Sequence, residues 1–290
     1  MEYLLHVAVL AAIYIILAVS LDMIAGHNGM LSMAHAAFYG LGAYTSALMA
    51  IRLGAPFLVG VVIGMTVAAF ASLVVSLPSL RVHDDYFVIA TFAFQMIILS
   101  VFNNWASLTA GPMGIAGIPP PSILALTIRS RIGFLLLAAA FAGLTCFVVG
   151  TITASPFGRV QHALREDEIF AQSLGKNPIR FKVIAFAVSA AFAASAGSLY
   201  AHYMTYIDPT SFTVTESILV IAMVIAGGAG SRSGPLIGAI LLVSLPEALR
   251  FLGLPNSVAA NLRQIIYGGL LVVTMMFRPR GLIGKYGFGR

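Results

Sequence analysis

The residues able to do chemistry are few and stand apart. Six histidines, at positions 6, 27, 35, 83, 162 and 202, never fall into His-x-x-x-His spacing, and none neighbours the lone Cys146. A metal site needs three or four such ligands converging, so no metal is expected. The run Gly227-Gly228-Ala229-Gly230, followed by Gly234, invites comparison with a phosphate cradle. It lacks the Gly-Lys-Ser/Thr ending of a P-loop, so no nucleotide or other cofactor is expected on this chain. No nucleophile has an evident base beside it, and no catalytic residue is predicted. What stands out instead is polarity in apolar surroundings, which is costly inside a bilayer and tends to face a bundle interior or a water-filled path. On that ground Ser32, His35, Tyr44, Gln95 and Glu216 are candidate contacts of a substrate pathway, with Asn28, Asn103 and Asn104 nearby in character. The simpler reading of His35, set among Ser32, Ala34, Ala36 and Ala37, is a hydrogen bond to a neighbouring helix.

The elements that must position these residues are apolar helices. Of 290 residues 60% are hydrophobic and 9% charged, too few charges to clothe a water-soluble surface. Long uncharged runs, among them Tyr3 to Leu21, Leu53 to Leu80, Ile132 to Gly158 and Val183 to Ile207, each exceed or approach the ~20 residues that cross a hydrocarbon core of ~30 Å. Continuous apolar runs without period-two alternation select helices over a barrel. Nine spans are predicted, at about 4 to 25, 30 to 50, 56 to 80, 86 to 103, 132 to 154, 183 to 204, 214 to 230, 234 to 251 and 262 to 278. The whole chain, 1–290, reads as one all-α transmembrane domain of about eight to ten spans. The first run lacks a basic leader and is too long for a signal-peptide core, so it is read as a retained span. Gly111 to Pro121 is rich in glycine and proline and should form a loop or re-entrant segment. Cys146 lies in an apolar run and reads as a small core hydrophobe.

The net charge of +6 is scattered among the spans, which argues against nucleic acid and for loop charges that orient the chain. With the amino terminus outside and the carboxyl terminus in the cytoplasm, inner segments carry Arg81, Arg159, Arg165, Lys176, Arg180, Lys182, Arg232, Arg278, Arg280, Lys285 and Arg290. Outer segments carry only Arg52, Arg129, Arg131, Arg250 and Arg263.

The segment 155–182, SPFGRVQHALREDEIFAQSLGKNPIRFK, holds five basic and three acidic residues and must lie in water between two spans. Ser155-Pro156 has the form of a helix start, and Glu166, Asp167 and Glu168 favour the first turn of a short helix beginning near Leu164. Gly175 supplies a left-handed stop, and Asn177-Pro178 opens the next helix. Ala163, Ile169, Phe170, Ser173 and Leu174 would give the short helix one apolar side. Such a side either packs beneath the bundle or docks into a groove on a partner.

From Gly158 to His202 the sequence resembles the cytoplasmic loop and following span of permeases from branched-chain amino acid ABC importers. Residues 26–50, GHNGMLSMAHAAFYGLGAYTSALMA, are similar to that family's early span, and residues 227–239, GGAGSRSGPLIGA, to its late glycine motif. RVHDDYFVIATFAFQMI and LTAGPMGIAGIP resemble segments that set its M-type permease apart from the H-type partner, although His83-Asp84-Asp85 departs from the family's usual turn. The resemblance implies that Arg165, Glu166, Asp167, Glu168, Phe170, Leu174 and Gly175 belong to a coupling helix seated on an ATPase. It also implies a homologous second permease, two cytoplasmic ATPase subunits carrying ATP and Mg, an external substrate-binding protein, and a place in the bacterial inner membrane. Urea, short amides or aromatic acids are alternative cargoes, and an ion-coupled secondary transporter is the rival mechanism. Gly227, Gly228, Gly230, Gly234 and Gly238 read more simply as sites of close helix approach than as ligand contacts.

Overall fold

The computed structural model describes residues 2–79, 84–123 and 126–250, together with 265, 266, 268, 269, 272–274, 276, 277 and 281–283. The chain is an all-α polytopic bundle. Its helices are α1 (Glu2–Ala25), α2 (His35–Leu53), α3 (Phe57–Ser79), α4 (Asp84–Asn104), α5 (Ala106–Thr109), α6 (Arg131–Ala154), α7 (Pro156–Glu166), α8 (Glu168–Ser173), α9 (Pro178–Met204), α10 (Val214–Gly227) and α11 (Gly234–Arg250). Among the described residues five stretches, α1, α3, Tyr86–Asn104 of α4, α6 and α9, are long and apolar enough to cross a membrane. Eight of the nine predicted spans have a helix in place among the described residues. Of the ninth, 262 to 278, eight of the seventeen residues lie outside them and the nine described are helical; His83 and most of the tail after Arg278 also lie outside.

Two spans are shorter than the sequence suggests. At 1.5 Å per residue, the 14 residues of α10 reach about 21 Å, less than a hydrocarbon core. The second span begins at His35 and not at residue 30, because Gly26 to Ala34 run without helical structure after α1 ends. His35 Nε2 donates to Ser20 Oγ at 2.9 Å, and Ser20 lies about 7.5 Å along the axis before the end of α1. The start of α2 is therefore sunk inside the bundle.

The centre is built on α9, which packs against α1, α2 and α3. Small residues make this possible. A side chain at Gly42 would collide with the Ala194 carbonyl, and one at Gly197 with the Tyr39 carbonyl, so the α2 and α9 backbones run in direct contact. Ser198 donates to Gly42 O at 3.2 Å, and Ser189 to Ser20 O at 2.6 Å.

At the far end from segment 155–182, Glu2 pairs with Arg131 at 3.0 Å, and Arg52 donates to Ser107 O at 2.6 Å. There the glycine-rich stretch lies across the end of α9. Its strand β1 (Ile115–Ala116) pairs antiparallel with β4 (Tyr206–Ile207), and between them in sequence β2 (Ser122–Ile123) pairs with β3 (Leu126–Thr127). His202 Nδ1 donates to Pro119 O at 2.7 Å, leaving Nε2 to accept from Ser46 at 3.0 Å.

Candidate functional site

The segment 155–182 folds from its own local signals. Ser155 Oγ accepts from Phe157 N at 3.2 Å, with Pro156 in the first turn of α7. Asn177 Oδ1 accepts from Arg180 N at 3.2 Å and starts α9, while Gly175 takes the left-handed conformation at φ 76°. One expectation is corrected. The three consecutive acids do not share the first turn of a single helix starting near Leu164. Instead α7 ends at Glu166, Asp167 is extended at φ −153°, and its carboxylate accepts from Phe170 N at 2.9 Å to open a separate α8. A short acidic side chain that can bond the backbone two or three residues ahead competes with helix continuation, and here it wins.

This grammar leaves α8 with an apolar face in the open. Ile169 is 81% exposed, Phe170 61% and Leu174 63%, while Ala171 faces inward. Glu166 and Asp167 are exposed beside them. Lys182, itself buried, reaches Glu168 at 2.7 Å and fastens α8 to the start of α9. Phe157 packs on Phe181 with ring centroids 5.1 Å apart, fastening α7 to the same helix.

Behind α7 three loops meet. Arg165 donates to the carbonyl of Gly26. His162 Nε2 lies 3.1 Å from His27 Nδ1, His27 Nε2 lies 3.7 Å from Asp22, and Asp22 Oδ1 accepts from Gly230 N at 2.8 Å. The glycines of 227–238 sit where α10 and α11 pass backbone to backbone. Side chains at Gly227, Gly234 and Gly238 would strike the carbonyls of Gly234, Gly228 and Met223 respectively, and Gly228 and Gly230 have φ of 114° and 73°. Leu282 N and Ile283 N donate to Ala226 O and Gly227 O, each at 3.0 Å, satisfying carbonyls at the end of α10.

The candidate pathway residues are dispersed. Ser32, His35 and Gln95 surround the sunken start of α2, which has no side-chain cap of its own at Ala34. Its free amides are taken by distant residues instead, Ala36 N by Ser217 Oγ at 2.9 Å and Ala37 N by Gln95 Oε1 at 2.6 Å, and just before the helix Met33 N is taken by Thr91 Oγ1 at 3.2 Å. Gln95 Nε2 in turn donates to Phe212 O at 2.8 Å, and Ser32 Oγ accepts from Ala34 N at 3.2 Å. Tyr44 lies further along α2, stacked on Phe102 with centroids 4.4 Å apart. Glu216, half-buried in the first turn of α10, accepts from the Tyr14 hydroxyl of α1. Ser32, His35, Tyr44 and Gln95 are all buried in this conformation. A cleft of about 770 Å³ opens at the other end of the bundle, among Tyr3, His6, Arg129, Arg131, Phe134 and Tyr203. No group of three His, Cys, Asp or Glu suited to a metal exists among the described residues.

Sequence reasoning missed Asp22, His27, His162, Thr91 and Ser217. Asp22 carried a signal, as an acid in the last turn of an apolar span, where the helix dipole disfavours it unless something donates to it. The partners of the others lie 58 to 181 residues away in the chain, beyond any local pattern.

Comparison with known proteins places this geometry. The family model described as branched-chain amino acid transport system / permease component matches residues 3–275. The high-affinity branched-chain amino acid transport system permease protein LivM of Escherichia coli K12 is 37% identical, over 96% of this chain and 69% of that protein. LivH of the same organism is 26% identical, over 95% of this chain and 92% of its own length. A probable LivM of Methanocaldococcus jannaschii is 28% identical over 71% of this chain. Among solved structures, PsaBC from Streptococcus pneumoniae in complex with Fab superposes with a TM-score of 0.51 over 97% of this chain and 93% of that chain, at 14% identity, a likeness of fold alone.

Proposed function

We propose that this chain, which belongs to the branched-chain amino acid transport system permease component family, forms half of the transmembrane pathway of an ABC importer and takes its driving motion through α8. The cargo is a branched-chain or related hydrophobic amino acid, in keeping with the names of its relatives. The other half is a homologous permease. An external binding protein delivers the substrate, and two ATPase subunits on the cytoplasmic face of the bacterial inner membrane bind ATP and Mg. Segment 155–182 faces those subunits, so the amino terminus is external.

The observation that carries this reading is the apolar face of α8. Ile169, Phe170 and Leu174 stand exposed in a charged loop whose helices are capped from within. Fully burying one such side chain is worth about 1.5–3 kcal/mol, so a partner groove that takes all three gains several kcal/mol from a single short helix. The pathway proposal for Ser32, His35, Tyr44, Gln95 and Glu216 has separate support. His35 Nδ1 and the Tyr44 hydroxyl are buried without a hydrogen-bond partner among the described residues, leaving each free to take one in another transport state.

Phe170→Asp and Leu174→Asp test the docking surface. Both positions are exposed, so the bundle should insert and melt as the parent does, while the ATPase subunits dissociate in detergent and substrate-stimulated hydrolysis falls to the background. Normal stimulated hydrolysis in both variants would refute the assignment.

A further inference from the structure

The membrane-facing side of α7 carries a set of polar contacts that the docking surface does not use. Arg165 holds the carbonyl of Gly26, and its stem lies against Gly29, where an added Cβ would come 3.2 Å from Arg165 Cγ. His162 and His27 meet edge-on with ring centroids 5.0 Å apart. Asp22 accepts from Gly230 N with one oxygen, and its other oxygen lies 3.7 Å from His27 Nε2, a polar approach longer than a hydrogen bond. His27 Nδ1 and His162 Nε2 share a hydrogen bond at 3.1 Å. One continuous polar chain thus runs from α7 through the segment leading into α2 to the turn between α10 and α11.

At the same place two buried amides are left over. Among the described residues, neither polar atom of the Asn28 side chain, nor of Gln161 on α7, has a partner. A buried amide without partners is costly and calls for an explanation, and the junction holds two of them one residue from His27 and His162. Other polar groups of the same loops are tied: Arg165 to Gly26, Asp22 to Gly230, Ser231 Oγ to Gly228 O at 3.0 Å. Surplus donors and acceptors on both sides of one contact are what a surface needs if it is to re-pair after sliding.

We infer that His162 and Arg165 are positioning residues that latch α7 to the lead-in of α2 and, through His27 and Asp22, to the α10–α11 turn, so that displacement of α8 is converted into movement at both loops. The inference rests on the docking role of α8. Asn28 and Gln161 supply replacement hydrogen bonds when the latch shifts. A rigid bundle would need no such reserve. The sunken start of α2, tied to α4 and α10 by Gln95 and Ser217, is the element the latch moves.

The test uses the complete transporter in proteoliposomes, with leucine uptake and ATP hydrolysis measured in parallel for His162→Ala, Arg165→Gln, Phe170→Asp and the His27→Ala/His162→Ala pair. His162→Ala should keep the ATPase subunits bound and hydrolysis within about twofold of the parent, while uptake per ATP falls by about tenfold in it and in Arg165→Gln, of the order of common coupling factors. The double variant should be no worse than His27→Ala measured alone, since loss of His27 already breaks its bond to His162, and His162→Gln should recover part of the loss because its amide can still donate or accept there. Unchanged uptake per ATP in His162→Ala and Arg165→Gln overturns the latch, and so does loss of ATPase binding in His162→Ala, which would mark a purely structural role. Should those variants fail to assemble, His27→Cys with His162→Cys in a Cys146→Ser background can be bridged by a short bifunctional methanethiosulfonate. Bridging should stop uptake and leave hydrolysis running, and uptake that continues when bridged overturns the latch. Failure of the docking reading looks different, because Phe170→Asp would then keep both ATPase binding and coupled uptake.

Discussion

The starts of α2 and α8 face the same physical problem and meet it by opposite means. Each helix leaves its first amides without intrahelical acceptors. At α8 the acceptor is Asp167, the residue immediately before the helix, at 2.9 Å. At α2 the residue in that place is Ala34, which has nothing to offer, and the acceptors come from Gln95 on α4 and Ser217 on α10. A helix capped from within keeps its shape when it moves as a body. A helix capped by its neighbours cannot shift against them without leaving amides unpaired in an apolar interior. The difference divides labour: α8 is fit to be pushed, and α2 moves only together with α4 and α10 or at the expense of those bonds.

The largest effect is expected where the borrowed cap is removed. Gln95→Leu fills similar space but orphans both Ala37 N and Phe212 O, each buried. At about 1–3 kcal/mol for each unsatisfied group, the bundle should lose about 2–6 kcal/mol, read as equilibrium unfolding of the purified chain in mixed micelles. A loss below about 1 kcal/mol would show that water or another side chain caps α2, and the contrast with α8 would collapse.

The same division explains what the sequence could reveal. The five long spans follow from charge-free runs, and Ser155-Pro156, Gly175 and Asn177-Pro178 mark their turns because cap and helix are adjacent in the chain. The start of α2 gave no such mark. Met30 to Ala34 are apolar or small residues that read as continuous span, and the residue that caps Ala37 lies 58 positions away. The break at Asp167 was hidden for a different reason. Three acids in succession suit the first turn of one helix, and only the extended backbone at Asp167 shows that the middle one is a cap. The junction of Asp22, His27 and His162 was illegible altogether, since isolated polar residues gain meaning there only once the fold brings them together.

A smaller effect belongs to the end of α8. Gly175 has φ 76°, and a Cβ there would meet nothing within 4 Å. Gly175→Ala therefore carries a backbone cost alone, about 1–2 kcal/mol for a non-glycine residue held left-handed. If α8 is an independent unit, amide exchange across residues 168–174 should quicken by about 5- to 30-fold with the unfolding of the bundle unchanged. A global destabilisation as large as that of Gln95→Leu would instead make α8 an integral part of the bundle.

The smallest effect on stability, and the most informative on geometry, is expected at Asp167. Asp167→Ala removes a cap worth about 1 kcal/mol, yet it places the best helix former at a position whose amide already bonds Ala163 O at 3.0 Å. The two contributions nearly offset, so thermal unfolding should move by no more than about 0.5 kcal/mol. What changes is direction: without the extended residue, α7 continues into α8 as one helix, and Phe170 and Leu174 turn away from the heading set by the Glu168–Lys182 pair. Stimulated ATP hydrolysis should therefore fall although the bundle is as stable as before. Asp167→Asn, which caps as well as aspartate, should keep it. If Asp167→Ala supports normal stimulation, the break between α7 and α8 is not what aims the docking face, and the independence of α8 from its neighbours is narrower than its caps suggest.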